Sequence, residues 1–156
     1  MQAVFFIALS LFFAQNVEQK PSTQSDTRFD FDLRRLQGKE SGHLKDHRGK
    51  VVIVEFWATY CGHCKRTHPA LAKINKSPDI VSLGISWQRL TRLKKYLNKK
   101  NIGFTVLFDK RSKVAKTLGV SATPTIFVFD QKGDLKFRGV GSPAASKAIK
   151  VAKSLL

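Results

Sequence analysis

The spacing of apolar positions changes several times along the chain, and each change marks an element. Phe29, Phe31 and Leu33 alternate with Asp30, Asp32 and Arg34. That is the period of a half-buried strand, expected to form a hairpin with the segment around Gly38 to Leu44. Val51 to Trp57 (VVIVEFW) is an almost unbroken apolar run holding one acid, Glu55, as in a central strand covered on both faces. Cys61 to Asn75 reads as a helix, with Leu71 and Ile74 at helical spacing and Pro69 placed to kink it. Ile80 to Ser86 is the next strand. Arg89 to Lys100 is an amphipathic helix with Leu90, Leu93 and Leu97 on one face and its basic residues off it.

The remainder follows the same alternation. Phe104 to Phe108 is a strand and Ser112 to Leu118 a short helix, after which Ala122-Thr123-Pro124-Thr125 leads into the strand Ile126 to Phe129. A Lys-Gly turn within Gln131 to Asp134 returns Leu135 to Val140 as an antiparallel hairpin. The last helix is expected to be capped by Ser142, with Pro143 at its first position and Ala145, Ala148, Ile149, Ala152 and Leu155 as its buried stripe. Strands alternating with helices and a terminal hairpin give an α/β fold with a mixed sheet.

Residues 1–19 differ in kind. The apolar stretch Ala3 to Ala14 is shorter than the roughly 20 residues of a membrane-crossing helix but matches the core of a secretory signal. No Lys or Arg precedes it, and Phe12 spoils the small-x-small pattern before Ala14. The segment is therefore read as a signal peptide or an uncut N-terminal anchor, with a buried N-terminal element as the alternative. It holds no cysteine, so lipid anchoring is not expected. Residues 20–26 form a polar linker, and 27–156 the folded domain.

Composition narrows the class. With 42% hydrophobic and 25% charged residues, the domain is an ordinary globular one, neither a disordered tail nor a coiled coil. Twenty-eight Lys plus Arg against 11 Asp plus Glu give +17, which suits contact with an anionic surface or an acidic partner. No aromatic-basic interleaving or nucleic-acid motif accompanies the charge, so no specific nucleic acid is expected. A basic binding module is the alternative class. The +17 by itself names no ligand.

The chemistry lies in the two cysteines, both within Cys61-Gly62-His63-Cys64. At a strand-to-helix junction the first sulfur sits at a helix N-terminus, where unpaired N–H groups and the macrodipole favour a thiolate. Cys64, three residues on, is within reach of Cys61 and shielded by it, which suits the resolving role in thiol–disulfide exchange. Zinc wants four ligands, and only His63 and His68 are nearby, so no metal site is expected. Haem attachment needs C-x-x-C-H, but Lys65 follows Cys64. A disulfide closing so short a loop adds little stability. What remains is a redox pair that needs no other cofactor.

VEFWATYCGHCKRTHP resembles the active site of the thioredoxin superfamily. HRGKVVIVEFWATYCGHC and SATPTIFVFDQKGDLKFRGVG resemble its exported TlpA/ResA-like branch, over about Phe31 to the C-terminus. The resemblance implies a thioredoxin fold, a central mixed β-sheet flanked by helices, with an N-terminal β extension and a βα insertion. It implies a protein thiol–disulfide oxidoreductase working in the periplasm or at the extracytoplasmic face of the membrane. Its substrates would be proteins with cysteines, its redox partner a membrane thiol–disulfide donor or acceptor, and its state a monomer. Cys61 would attack and Cys64 resolve. Trp57 would open the loop that carries them, on the substrate side. Pro124 would be the cis-proline, with the backbone of Thr123 pairing with an extended substrate peptide.

Two positions depart from that branch. Many TlpA-like chains have asparagine where this one has Glu55, which resembles the buried acid of thioredoxin and protein disulfide isomerase. Burial disfavours a charged carboxylate, so Glu55 is expected to take the Cys64 proton. The alternative is a partly solvated glutamate paired with a lysine. Gly62-His63 resembles the isomerase dipeptide, and His63 is expected to stabilise the Cys61 thiolate and raise the reduction potential. The family thus points to a reductant, as in cytochrome c maturation, and the dipeptide to an oxidase or isomerase. His43, His47 and His68 are expected to face solvent.

Overall fold

A computed structural model describes residues 27–156; the expected signal or anchor segment and linker lie outside the described residues. The elements run β1 (Arg34–Gln37), β2 (Val51–Phe56), α1 (Gly62–Ile74), β3 (Ile80–Ser86), α2 (Leu90–Leu97), β4 (Thr105–Phe108), α3 (Lys113–Thr117), β5 (Thr125–Phe129), β6 (Leu135–Val140) and α4 (Ser142–Ser154). The strands form one mixed sheet in the order β1-β4-β3-β2-β5-β6. β2, β3 and β4 are parallel, while β5, β6 and the edge strand β1 run antiparallel to their neighbours. β1 is the N-terminal extension, and β4 with α3 forms the inserted unit.

The register brings one edge of the sheet to the site. Phe56 pairs with Ile85 and Ser86 with Phe108, so the loops after β2, β3 and β4 leave the sheet side by side. Phe56 also pairs with Thr125, and Thr125 with Val140. The Thr123-Pro124 turn and the start of α4 therefore reach the same edge.

β2 is buried along its whole length because each face has its own core. Val51, Ile53 and Trp57 pack with Leu71, Leu93, Ile126 and Ala148 beneath α1, α2 and α4. Val52, Val54 and Phe56 pack with Phe29, Phe31, Leu107, Phe127 and Phe129 on the other face. Each such side chain contributes about 1.5–3 kcal/mol by burial. Glu55 shares the parity of Val51 and Ile53, which sets it under α1 with a carboxylate in an apolar layer.

Two expectations are corrected. Phe29 and Phe31 are buried as the alternation implies, but not in a strand. Residues Thr27–Phe29 make a 3-10 turn, Asp32 and His43 form a lone antiparallel bridge, and the strand begins only at Arg34. Packing, not a ladder, sets these aromatics: Phe29 lies edge-on to Phe129 at 5.0 Å and to Phe127 at 6.1 Å. Ser142 does not cap α4. Gly141, at φ 84, takes the N-cap position with no side-chain cap, and the Ser142 hydroxyl is used elsewhere.

Candidate active site

The segment between β2 and α1 is held by short-range backbone pairing and one side-chain clamp. The Trp57 N–H donates to the Ile85 carbonyl (2.9 Å), extending the parallel pairing one residue past β2, and the Cys61 N–H donates to the Ala58 carbonyl (3.0 Å) to close a tight turn. Gln88 fixes the loop from across the edge: its Oε1 accepts from the Thr59 N–H (2.8 Å) and its Nε2 donates to Thr59 Oγ1 (3.0 Å). Tyr60 projects outward, 67% exposed.

Cys61 is the N-cap of α1, and its sulfur accepts from the Cys64 N–H at 3.1 Å. The two cysteines are joined in a disulfide with 5.3 Å between their Cα atoms. Cys61 retains 8% exposure and Cys64 none, so only the first sulfur can be reached from outside. The Thr123–Pro124 peptide bond is cis. Pro124 is buried and Thr123 half-buried, and the Pro124 carbonyl accepts from the Gly141 N–H (2.8 Å).

His63 lies outside this enclosure. Its Nδ1 is 2.8 Å from Arg66 Nη2 and 2.6 Å from Ser142 Oγ. A guanidinium only donates, so Nδ1 accepts and the ring proton sits on Nε2. The contact ties the first turn of α1 to the first turn of α4.

Beneath the disulfide Glu55 is completely buried, as its resemblance to a buried acid implies, and among the described residues no lysine pairs with it. Its Oε1 meets the Thr67 hydroxyl in a short contact, and Thr67 Oγ1 also reaches the Cys64 carbonyl at 2.8 Å. Thr67 has one proton to give and two acceptors to serve. Both contacts are satisfied when Glu55 carries a proton, donating to Thr67 while Thr67 donates to Cys64. Thr67 thus couples the acid to the backbone of the resolving cysteine.

His68 corrects the expectation of a solvent-facing ring: it is buried, at 6% exposure. Its Nε2 lies 3.2 Å from Glu55 Oε2 but off the direction of a good hydrogen bond. Its ring stands edge-on between Trp57 (4.9 Å) and Phe104 (5.3 Å). Trp57, expected on the substrate side, is fully buried and cannot touch a substrate. It walls the acid's pocket. Gly84 makes room, since a Cβ there would lie 2.9 Å from Trp57 Nε1 and 2.8 Å from Phe104. His47 is buried as well, with Nε2 3.0 Å from the Ser41 carbonyl, and His43 is half-buried beside Asp30 at 2.9 Å.

A signal for His68 was present in the sequence. Cys64, Thr67, His68 and Leu71 are the buried residues of α1, spaced i, i+3, i+4, i+7. Reading the stripe from Leu71 forward to Ile74, and not back toward the cysteines, hides it.

No group of His, Cys, Asp and Glu able to hold a metal is present among the described residues. None of the described helices is long and apolar enough to cross a membrane.

The fold and the disulfide-bonded cysteine pair at the start of α1 define a thioredoxin-fold protein with a disulfide-capable C-x-x-C. Residues 25–138 match the model of the AhpC/TSA family, and the chain belongs to that family. Among curated relatives, the thiol-disulfide oxidoreductase ResA of Geobacillus thermodenitrificans is 30% identical over 112 residues, covering 69% of this chain but only 63% of that protein. The thioredoxin-like protein YneN of Bacillus subtilis is 29% identical over 119 residues, 72% of this chain and 69% of that one. Among solved structures, the exposed lipoprotein thioredoxin of Streptococcus pneumoniae strain TIGR4 superposes with a TM-score of 0.71 at 27% identity, over 81% of this chain and 99% of that one.

Proposed function

We propose that the chain is a protein thiol–disulfide oxidoreductase of ResA type that works outside the cytoplasm. The observation that carries this reading is the Cys61–Cys64 disulfide at the start of α1, its first sulfur accessible and its second sealed. Reduced, Cys61 attacks a substrate disulfide as a thiolate favoured by the helix N-terminus. Cys64 then attacks Cys61 and releases the substrate thiol. Glu55 receives the Cys64 proton, and its protonated hydrogen bonding in the disulfide form fits the state left after that transfer. The Thr123 backbone, beside Pro124, offers an edge for an extended substrate peptide.

The relatives support the class of reaction and, through an exposed lipoprotein among them, an extracytoplasmic place, periplasm or outer membrane face. We take the chain as a monomeric reductant of protein cysteines, as in cytochrome c maturation, fed by a membrane thiol–disulfide partner. The +17 charge suits transient contact with anionic surfaces. His63 and the Arg66 guanidinium on it favour a second reading, an oxidase or isomerase, since cationic and polar donors near Cys61 stabilise the reduced thiolate.

The test is Cys64→Ala. It leaves the nucleophile without a resolver, so mixed disulfides with substrate proteins accumulate and appear on non-reducing gels. Absence of any Cys61-dependent adduct removes the assignment.

A further inference from the structure

Glu55 can take the Cys64 proton only when its own carboxyl is ionised, so a proton it holds in the reduced protein must first reach solvent. The acid and Cys64 are both completely buried, so the disulfide side gives that proton no path to water. Three buried polar atoms without hydrogen-bond partners among the described residues, Glu55 Oε2, His68 Nε2 and Trp57 Nε1, gather on the other side of the acid. Of these residues only His68 extends to the surface: its ring lines a depression of about 340 Å³ together with Lys65, Tyr96, Lys100 and Asn101.

We infer that His68 relays protons between Glu55 and solvent through this depression, as a positioning residue that acts through Glu55. The inference rests on Glu55 as the proton acceptor of the resolving step. In that step the Cys64 proton moves to Glu55. The Cys64–Cys61 bond forms and the Cys61–substrate bond breaks, and the substrate sulfur leaves as a thiolate that takes its proton from water. The substrate disulfide gains two electrons and the Cys61/Cys64 dithiol loses two. Before that step, a proton held on Glu55 Oε2, the oxygen that does not meet Thr67, passes to His68 Nε2, 3.2 Å away. The ring gives up its Nδ1 proton to water, and rotation of the ring toward the depression lets Nε2 shed its proton and restores the starting tautomer.

The surroundings suit brief protonation of the ring. Trp57 and Phe104 present ring contacts, while Lys65 on the same helix and Lys100 beyond α2 line the outer depression. Among the described residues the carboxylate placed against the ring is its donor, Glu55. A histidine is the side chain that can accept at one nitrogen and donate at the other.

The experiment follows disulfide closure by stopped flow after mixing reduced full-length protein with oxidised glutathione, in wild type, Glu55→Gln, His68→Gln and His68→Ala. Glutamine keeps a polar atom near the Nε2 position but carries no proton across. Closure is expected to slow on the order of tenfold in Glu55→Gln and in His68→Gln, with no further loss in the double variant. Adduct formation at Cys61 is measured alongside in each variant. Added imidazole, entering through the opened depression, restores closure in His68→Ala and not in Glu55→Gln. Slow Glu55→Gln with fast His68→Gln overturns the relay and leaves the role of Glu55 standing. Fast closure in both removes that role and the relay together. Slow His68 variants without imidazole rescue make His68 a packing residue and also overturn the relay.

Discussion

Arg66 and Ser142 meet at one nitrogen of His63, which changes what the histidine can do. With Nδ1 accepting, the permanent cation beside the first turn of α1 is the guanidinium, with the imidazole as its support. We propose that the Cys61 thiolate draws on Arg66, on His63 as its anchor, and on the helix N-terminus. We predict a couple less reducing than thioredoxin's value of about −270 mV and nearer the isomerase value of about −180 mV. His63→Pro and Arg66→Ala are each expected to lower it by tens of mV, on the order of 1 kcal/mol. Glutathione equilibration with alkylation and mass detection measures this, and unchanged potentials in both variants make the pair a surface feature. At this scale the sequence was informative where the motif is local. Cys61, Cys64 and Pro124 lie in short patterns whose geometry follows from the turn and helix around them. His68 and the true partner of Glu55 were hidden because their contact joins a strand and a helix, and histidine is ambiguous until its neighbours are known.

Among the elements, the β5–β6 hairpin shows how a turn is fixed by one acid. Asp130 Oδ1 accepts from the N–H groups of Lys132 and Asp134, both at 2.9 Å, and Oδ2 pairs with Lys136 at 3.0 Å. Burial works against the charged carboxyl, but the Asp134 N–H, the Lys136 ammonium and the Lys132 N–H outweigh it and hold Asp130 below its ordinary value. A lowered carboxyl stabilises the fold above its unfolded value near 4 and loses that effect as pH falls through the lower, folded value. Asp130→Asn keeps an acceptor for the turn but loses the ion pair, which is half-exposed on the lysine side and screened. The expected cost at pH 7 is about 0.5–1 kcal/mol, fading as pH falls below the unfolded value and through the lower folded one, read as a shift in urea midpoint. β6 and β3 were legible to the residue, and β5 to within one, since a Lys-Gly turn and a seven-residue apolar run leave few alternatives. The segment before β1 was not: alternation announced the burial of Phe29 and Phe31, but burial against Phe127 and Phe129 needs no strand.

For the whole molecule, the sheet order joins distant parts of the chain unequally. Glu55, Trp57, Cys61, Cys64, Thr67 and His68 all belong to β2, α1 and the loop between them, and β5 meets β6 through a tight turn. β1 is different, because Gln37 finds its partner Val106 about 70 residues later. Closing a loop of that length costs about 4 kcal/mol of chain entropy before any contact repays it. The edge strand is thus expected to dock after the barrier to folding has been crossed, and to leave first when the fold opens. Leu36 packs against the main core from β1, so Leu36→Ala should speed unfolding up to about tenfold and leave the refolding rate nearly unchanged. A chevron whose refolding limb drops instead would place β1 in the nucleus. As the chain emerges N-terminus first, β1 must wait for β4, whereas the strand and helix that carry the cysteines can close on each other early. The redox centre is therefore assembled while one border of its sheet still lies open.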